Sequence, residues 1–220
     1  GLLSGFVSSL ATIAAMGRRA AASPQEAAHA SAAAVLSTVA TPIQLALVIG
    51  VVHEPTLEQT ALPLSCATVA ALACAGFLIW RAMQAPSPPA PALGRPVDLK
   101  TALALTATIS VLLVAAALLQ RWFGTLGVLV AALIGGFGDT HSAAATVAAM
   151  AAQHRIGEAA AALPVLAAFT SNACAKAIAG FICGRGNFRW TMLGALSVAV
   201  AAAWAAYGLI GAVRTGLAAG

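Results

Sequence analysis

Apolar runs about as long as a bilayer crossing alternate along this chain with short stretches that hold nearly all of its charge. The first run, 2–16, stops at Arg18 and Arg19 and is shorter than the roughly 20 residues a spanning helix needs. Others cover 28–52, 60–83, 99–119, 125–153, 159–182 and 190–213. Strands of a membrane barrel alternate apolar and polar positions over about ten residues. These alanine-rich runs do not, so each is predicted to be a helix. The expected fold class is an all-α integral membrane protein, a polytopic helical bundle of about six or seven segments. Its connections are predicted at Pro24, at 53–58, at the proline-rich 86–91, and at Gln120, Arg121 and Trp122.

One stretch interrupts the pattern. Gly135, Gly136, Phe137, Gly138, Asp139, Thr140, His141 and Ser142 fall inside the 125–153 run. Each glycine adds backbone entropy and offers no side chain to pack, so Gly135, Gly136 and Gly138 are expected to stop the helix. Asp139 and Thr140 follow with side-chain oxygens suited to capping its restart. A helix broken at membrane depth is tolerated only where it lines a cavity or is buried in protein, which makes this stretch the leading candidate site. Pro42, inside the 28–52 run, removes an N–H and is a second expected break or bend.

The two halves of the chain resemble each other. Ser4, Gly5, Phe6, Val7, Ser8 and Ser9 precede an Ala/Thr-rich helix, as Gly135 to Thr140 do. Val35, Leu36, Thr41 and Pro42 find counterparts in Val165, Leu166, Ser171 and Asn172. An offset of roughly 130 residues holding across two helices points to an internal duplication of the kind transporters use. The expected organisation is a first repeat at 1–84, a Pro-rich linker at 85–97 and a second repeat at 98–220. The 99–119 run and the first half of 125–153 have no partner in the first repeat, which is therefore expected to be truncated at its start. Gly1 to Ile13 carries neither Met nor a basic leader, and the chain is expected to be a fragment.

Composition narrows the class. The chain is 61% hydrophobic and 8% charged, where soluble domains carry about 25% charged residues. That is too little charge to coat a water-facing surface. The net charge of +5 comes from basic residues standing singly or in pairs. A nucleic-acid patch would need them clustered among aromatics, so nucleic acid is not an expected partner; the lipid bilayer is. If the 125–153 run crosses once, Arg18, Arg19, Arg81, Arg95, Lys100, Arg155 and Arg214 share one side and Arg121, Arg185 and Arg189 the other. The richer side is expected to be cytoplasmic. Cys66, Cys74, Cys174 and Cys183 have no C-x-x-C or His spacing and read as small core residues.

Few polar groups lie inside the runs. Asp139 is the one carboxylate among them, and an ionisable group at that depth is by default a functional candidate. His141 is two residues on, about 200° around a helix, and need not share its face. Asn172 sits mid-segment with Lys176 one turn further on the same face. Lys176 is expected either to snorkel to the helix end or to pair with Asp139. Ser8, Ser9 and Thr12, with Thr41 and Gln44, hold comparable places in the first half and are expected to complete a polar cavity or to bond across helices. Gly136, Phe137, Gly138 and Asp139 also spell the G-x-G-D of intramembrane aspartyl proteases. That chemistry needs two carboxylates sharing a proton, and Asp98 stands beside the linker. No enzyme, catalytic residue or cofactor is expected, and the sequence leaves any metal undetermined.

Three motifs carry a family resemblance: Gly5 to Thr12 with Arg18 and Arg19, Gly135 to Asp139, and Thr170, Ser171 and Asn172 with Lys176. Through them the chain resembles the C-terminal membrane domain of unknown function (DUF 4010) of MgtC/SapB-family proteins. Leu10 departs from the small polar residue usual there. The resemblance implies a bacterial inner-membrane protein linked by name to magnesium homeostasis. The expected function is a transporter or channel for a small solute or cation, centred on Asp139 and Asn172. The alternative is a non-transporting regulatory or scaffolding membrane domain, whose partner is a second copy or another membrane protein.

Overall fold

The computed structural model describes the backbone of residues 2–84 and 99–218, and the side chains of residues 8–84 and 126–213. The linker expected at 85–97 lies outside the described residues, as do the side chains of Arg95, Lys100, Arg121 and Arg214. Six helices follow in order: α1 Leu2–Ala22, α2 Ala27–Val52, α3 Glu54–Met83, α4 Leu99–Ala152, α5 Glu158–Cys183 and α6 Asn187–Ala218. A 3-10 turn, Pro24–Glu26, joins α1 to α2. No strand occurs among the described residues. Among the described residues five stretches are long and apolar enough to cross a membrane: Pro24–Val52, Glu54–Met83, Leu126–Ala152, Glu158–Cys183 and Asn187–Val213. The chain is a multi-pass helical membrane protein in this sense. Exposed Leu62, Val69, Leu72, Phe77 and Trp80 line the outside of α3, as lipid contact requires.

The helix ends have local causes. Arg19 bonds Glu26 at 2.7 Å across the turn that Pro24 opens. His53 alone separates α2 from α3; it is extended, and its ring Nδ1 lies 2.9 Å from Thr56 Oγ1. Pro55 stands in the first turn of α3, where its missing N–H costs nothing. The loop expected over 53–58 is thus mostly helix, with Glu54 and Glu58 inside α3.

Two expected interruptions are absent from the backbone. Helix α4 runs through 120–124, joining the runs expected as separate segments, and it continues through Gly135, Gly136 and Gly138. Pro42 likewise lies inside an α2 that stays helical to Val52. The departure from helical geometry falls instead at Ser8 in α1 (φ −165°, ψ 105°).

Two cores fill the bundle. One joins the second half of α2 (Leu45, Ile49) to the end of α4 (Val147, Ala151) and the start of α5 (Ala161, Val165). The other joins the first half of α2 (Ala34, Val35) to α1 (Ile13, Ala20) and the start of α6 (Phe188, Met192). Helix α1 also ends against the end of α5: a Cβ on Gly17 would stand 3.0 Å from Gly184 N. So α1 and α5 run the same way, and α2 runs against both. The α1–α2 and α5–α6 connections lie at one end of the bundle, and the α2–α3 and α4–α5 connections at the other.

That arrangement corrects the grouping of basic residues. Arg18, Arg19, Arg185 and Arg189 share one end, where α3 also brings Arg81. The other end holds Glu54, Glu58, Glu158 and Arg155. The cysteines are free; Cys174 is exposed, Cys66 and Cys183 are half-buried, and half-buried Cys74 packs against the second core.

Candidate functional site

The polar centre begins where α1 departs from helical geometry. Ser8 Oγ accepts the Ala11 N–H at 3.2 Å, the bond of an N-cap, and Thr12 Oγ1 donates to the Ser8 carbonyl at 2.9 Å. A fresh helical turn therefore starts at Ser9. Its hydroxyl lies 3.4 Å from Thr41 Oγ1 on α2. Thr41 is 1% exposed and accepts a second contact, from Lys176 Nζ on α5 at 2.6 Å. Three helices are tied at one hydroxyl.

Lys176 is the unexpected member. It is 2% exposed, so it neither snorkels nor reaches Asp139. Among the described residues the ion pairs are Arg19 with Glu26 and His141 with Asp139, and Lys176 takes part in neither. One turn away, Asn172 Oδ1 is buried with no hydrogen-bond partner. Lys176 and Asn172 line a cavity of about 10 Å³ together with Thr38, Pro42, Phe169 and Leu196, roughly the room one water needs. Pro42 lines the same cavity and has no N–H for the Thr38 carbonyl, yet α2 stays helical past it.

Asp139 forms a second cluster at the midpoint of the Leu126–Ala152 span. One carboxylate oxygen accepts the His141 N–H at 3.0 Å and lies 3.1 Å from His141 Nδ1; the other accepts the Ser142 N–H at 3.3 Å and the Ser142 hydroxyl. These are cap bonds made inside a continuous helix. They bring His141 to Asp139 despite the 200° expected between them, because the carboxylate folds along the backbone toward the following turn. Both side chains are about one-third exposed. His141 Nε2 and the hydroxyl of fully buried Thr140 have no partner.

Gly136 has a different task from the one expected. A Cβ there would come within 2.5 Å of Ala168 Cα and Ser171 Oγ on α5. Hydrogen is the only substituent that lets α4 lie this close to α5, as small residues do where membrane helices pack.

Of the residues singled out in the sequence, Ser9, Asn172 and Lys176 gather at the α1–α2–α5 centre, with Ser8 and Thr12 one turn away. Asp139 and His141 bond each other elsewhere on α4. Thr41, read only as a polar companion, is the hub. Its signal was present: the repeat sets it opposite Ser171, next to Asn172, as it sets Ser8 and Ser9 opposite Asp139 and Thr140.

A family model described as "Domain of unknown function (DUF4010)" matches residues 1–184 of the 220. The chain belongs to this family. The DUF4010 match ends one residue beyond α5, so it takes in Ser8, Ser9, Thr41, Asp139, Asn172 and Lys176 and leaves α6 outside. It speaks of the domain alone, with nothing about MgtC/SapB proteins or a C-terminal position. No curated protein and no solved structure matches the chain.

Proposed function

We propose that this DUF4010 protein is a transporter of a bacterial inner membrane, built from two inverted three-helix units that meet at the Lys176–Thr41 centre. The units are α1, α2 and α3, and the second half of α4, α5 and α6. The opposed directions of α2 and α5, and the nearly equal spacings of 131 from Ser8 to Asp139 and 130 from Thr41 to Ser171, support the repeat. Inverted repeats with a site at the midplane, formed where helices are interrupted, are how many secondary transporters alternate access. Ser8 caps such a restart on α1, and Asp139 makes the same kind of bonds inside the unbroken α4. Basic residues crowd the end that holds Arg18, Arg19, Arg81, Arg185 and Arg189, which we assign to the cytoplasm.

The observation that carries the proposal is the Lys176–Thr41 contact, an ionisable side chain removed from solvent at the join between units. A buried ionisable group is costly in a membrane, and simple packing does not call for one. Reconstitution in liposomes tests it. Wild-type protein should move a solute, and Lys176→Met should lose that flux at least tenfold while inserting normally. Flux equal to wild type would remove the centre from the path. Magnesium, to whose homeostasis the MgtC/SapB resemblance is linked by name, gains no support as a cargo from the donor set. Among the described residues no three His, Cys, Asp or Glu side chains gather, and Mg²⁺ favours carboxylate oxygens.

A scaffolding domain is the second reading, favoured by the small size of the cavity. It predicts no flux of any solute and co-purification with a membrane partner.

A further inference from the structure

We propose that the Lys176 centre takes a small inorganic anion of about halide size. The inference rests on the transport reading for its purpose, but not for its chemistry.

Four features converge there. Lys176 Nζ has three N–H bonds and one partner, Thr41 Oγ1 at 2.6 Å, so two donors are left in a side chain that is 2% exposed. No carboxylate stands within ion-pair distance of it among the described residues. Asp139, the mid-span acid, is occupied by its own His141 and Ser142. The helical turn restarting at Ser9 lies beside Thr41, with Ser9 Oγ 3.4 Å from Thr41 Oγ1, and the positive end of its dipole is at that end of the turn.

On the continuous α4 the Asp139 carboxylate sits on the N–H groups of His141 and Ser142. At the matching position α1 has neutral Ser8, at a restart that carries no acid of its own and lies beside a lysine. A cation entering there meets like charge in a medium that screens poorly, whereas an anion supplies the missing counter-charge. Asn172 completes the site. Its amide is the same shape turned end for end, and that turn replaces the partnerless oxygen with an NH₂ donor facing the cavity. The cavity of about 10 Å³ sets the size class.

The test is binding, read as ligand-linked stabilisation of the full chain in detergent. Thermal unfolding is followed in sodium chloride or sodium bromide against sodium gluconate at equal ionic strength. A saturable rise in Tm is expected with either halide, unchanged when potassium replaces sodium. Lys176→Met should abolish it. Thr41→Val keeps the amine but removes its anchor, and should weaken the apparent affinity several-fold; it serves if Lys176→Met does not fold. The proposal is overturned by a rise that follows the cation, by no saturable rise in the wild type, or by halide affinities unaltered in both variants. Halide binding in a protein that moves nothing would end the transport reading alone, and Lys176-dependent flux of a cation would end this one alone.

Discussion

A methyl group added to Gly136 has nowhere to go. Its nearest neighbours would be the backbone of Ala168 and the Ser171 hydroxyl, at distances no relaxed Cβ accepts. Gly136→Ala should therefore cost about 1–3 kcal/mol, the range of overpacked sites, measured as unfolding in detergent. Gly76→Ala is the control: nothing lies within 4 Å of its Cβ, and the better helix propensity should add about 0.5–1 kcal/mol. Asp139 is expected to act through its cap. Asp139→Ala should lose about 0.5–2 kcal/mol and Asp139→Asn far less, because an amide oxygen caps nearly as well. The sequence pointed to these glycines as helix breakers, and α4 runs through them instead. A glycine weakens a helix in isolation, yet the same missing side chain lets two helices touch, and only the neighbour on α5 decides between the two. The fate of Lys176 was illegible for the same reason, since its partner Thr41 is 135 residues away in sequence.

At the scale of the element, the apolar runs placed α2, α3, α5 and α6 to within a few residues, because membrane helices must satisfy every backbone group internally. What the runs could not show was continuity. Gln120, Arg121 and Trp122 resemble a helix end and lie within α4, and 53–58 resembles a loop and opens α3. Polar residues interrupt hydropathy without interrupting hydrogen bonding. At Ser8 the opposite holds: an unremarkable serine marks the departure from helix in α1. Ser8→Ala should lose the Ala11 N–H bond and about 0.5–2 kcal/mol, with Ser8→Asp restoring the cap. On the anion proposal, Ser8→Asp should also abolish halide stabilisation, because it puts a carboxylate of the chain's own at the restart.

For the whole molecule, the account requires two inverted units with one charge-rich end. Cysteine substitutions in a background freed of the four native cysteines test the topology. Gln25→Cys and Arg185→Cys, both at exposed positions beside the basic end, should react with an impermeant maleimide from the same face of the membrane. Gln153→Cys, at the other end, should react from the opposite face. A shared face for all three would undo the inverted arrangement and the cytoplasmic assignment together.

The claim beneath these is that a dry centre at Thr38, Thr41, Asn172 and Lys176 opens to water on each side in turn. Thr38 lines that cavity at 7% exposure, so a lone Thr38→Cys is the most direct probe of it. In sealed vesicles of each orientation, a small impermeant thiol reagent should modify it from both faces. A thiol that stays unmodified from either face, while a cysteine at Gln25 reacts readily, would contradict the account and leave a filled, non-transporting bundle.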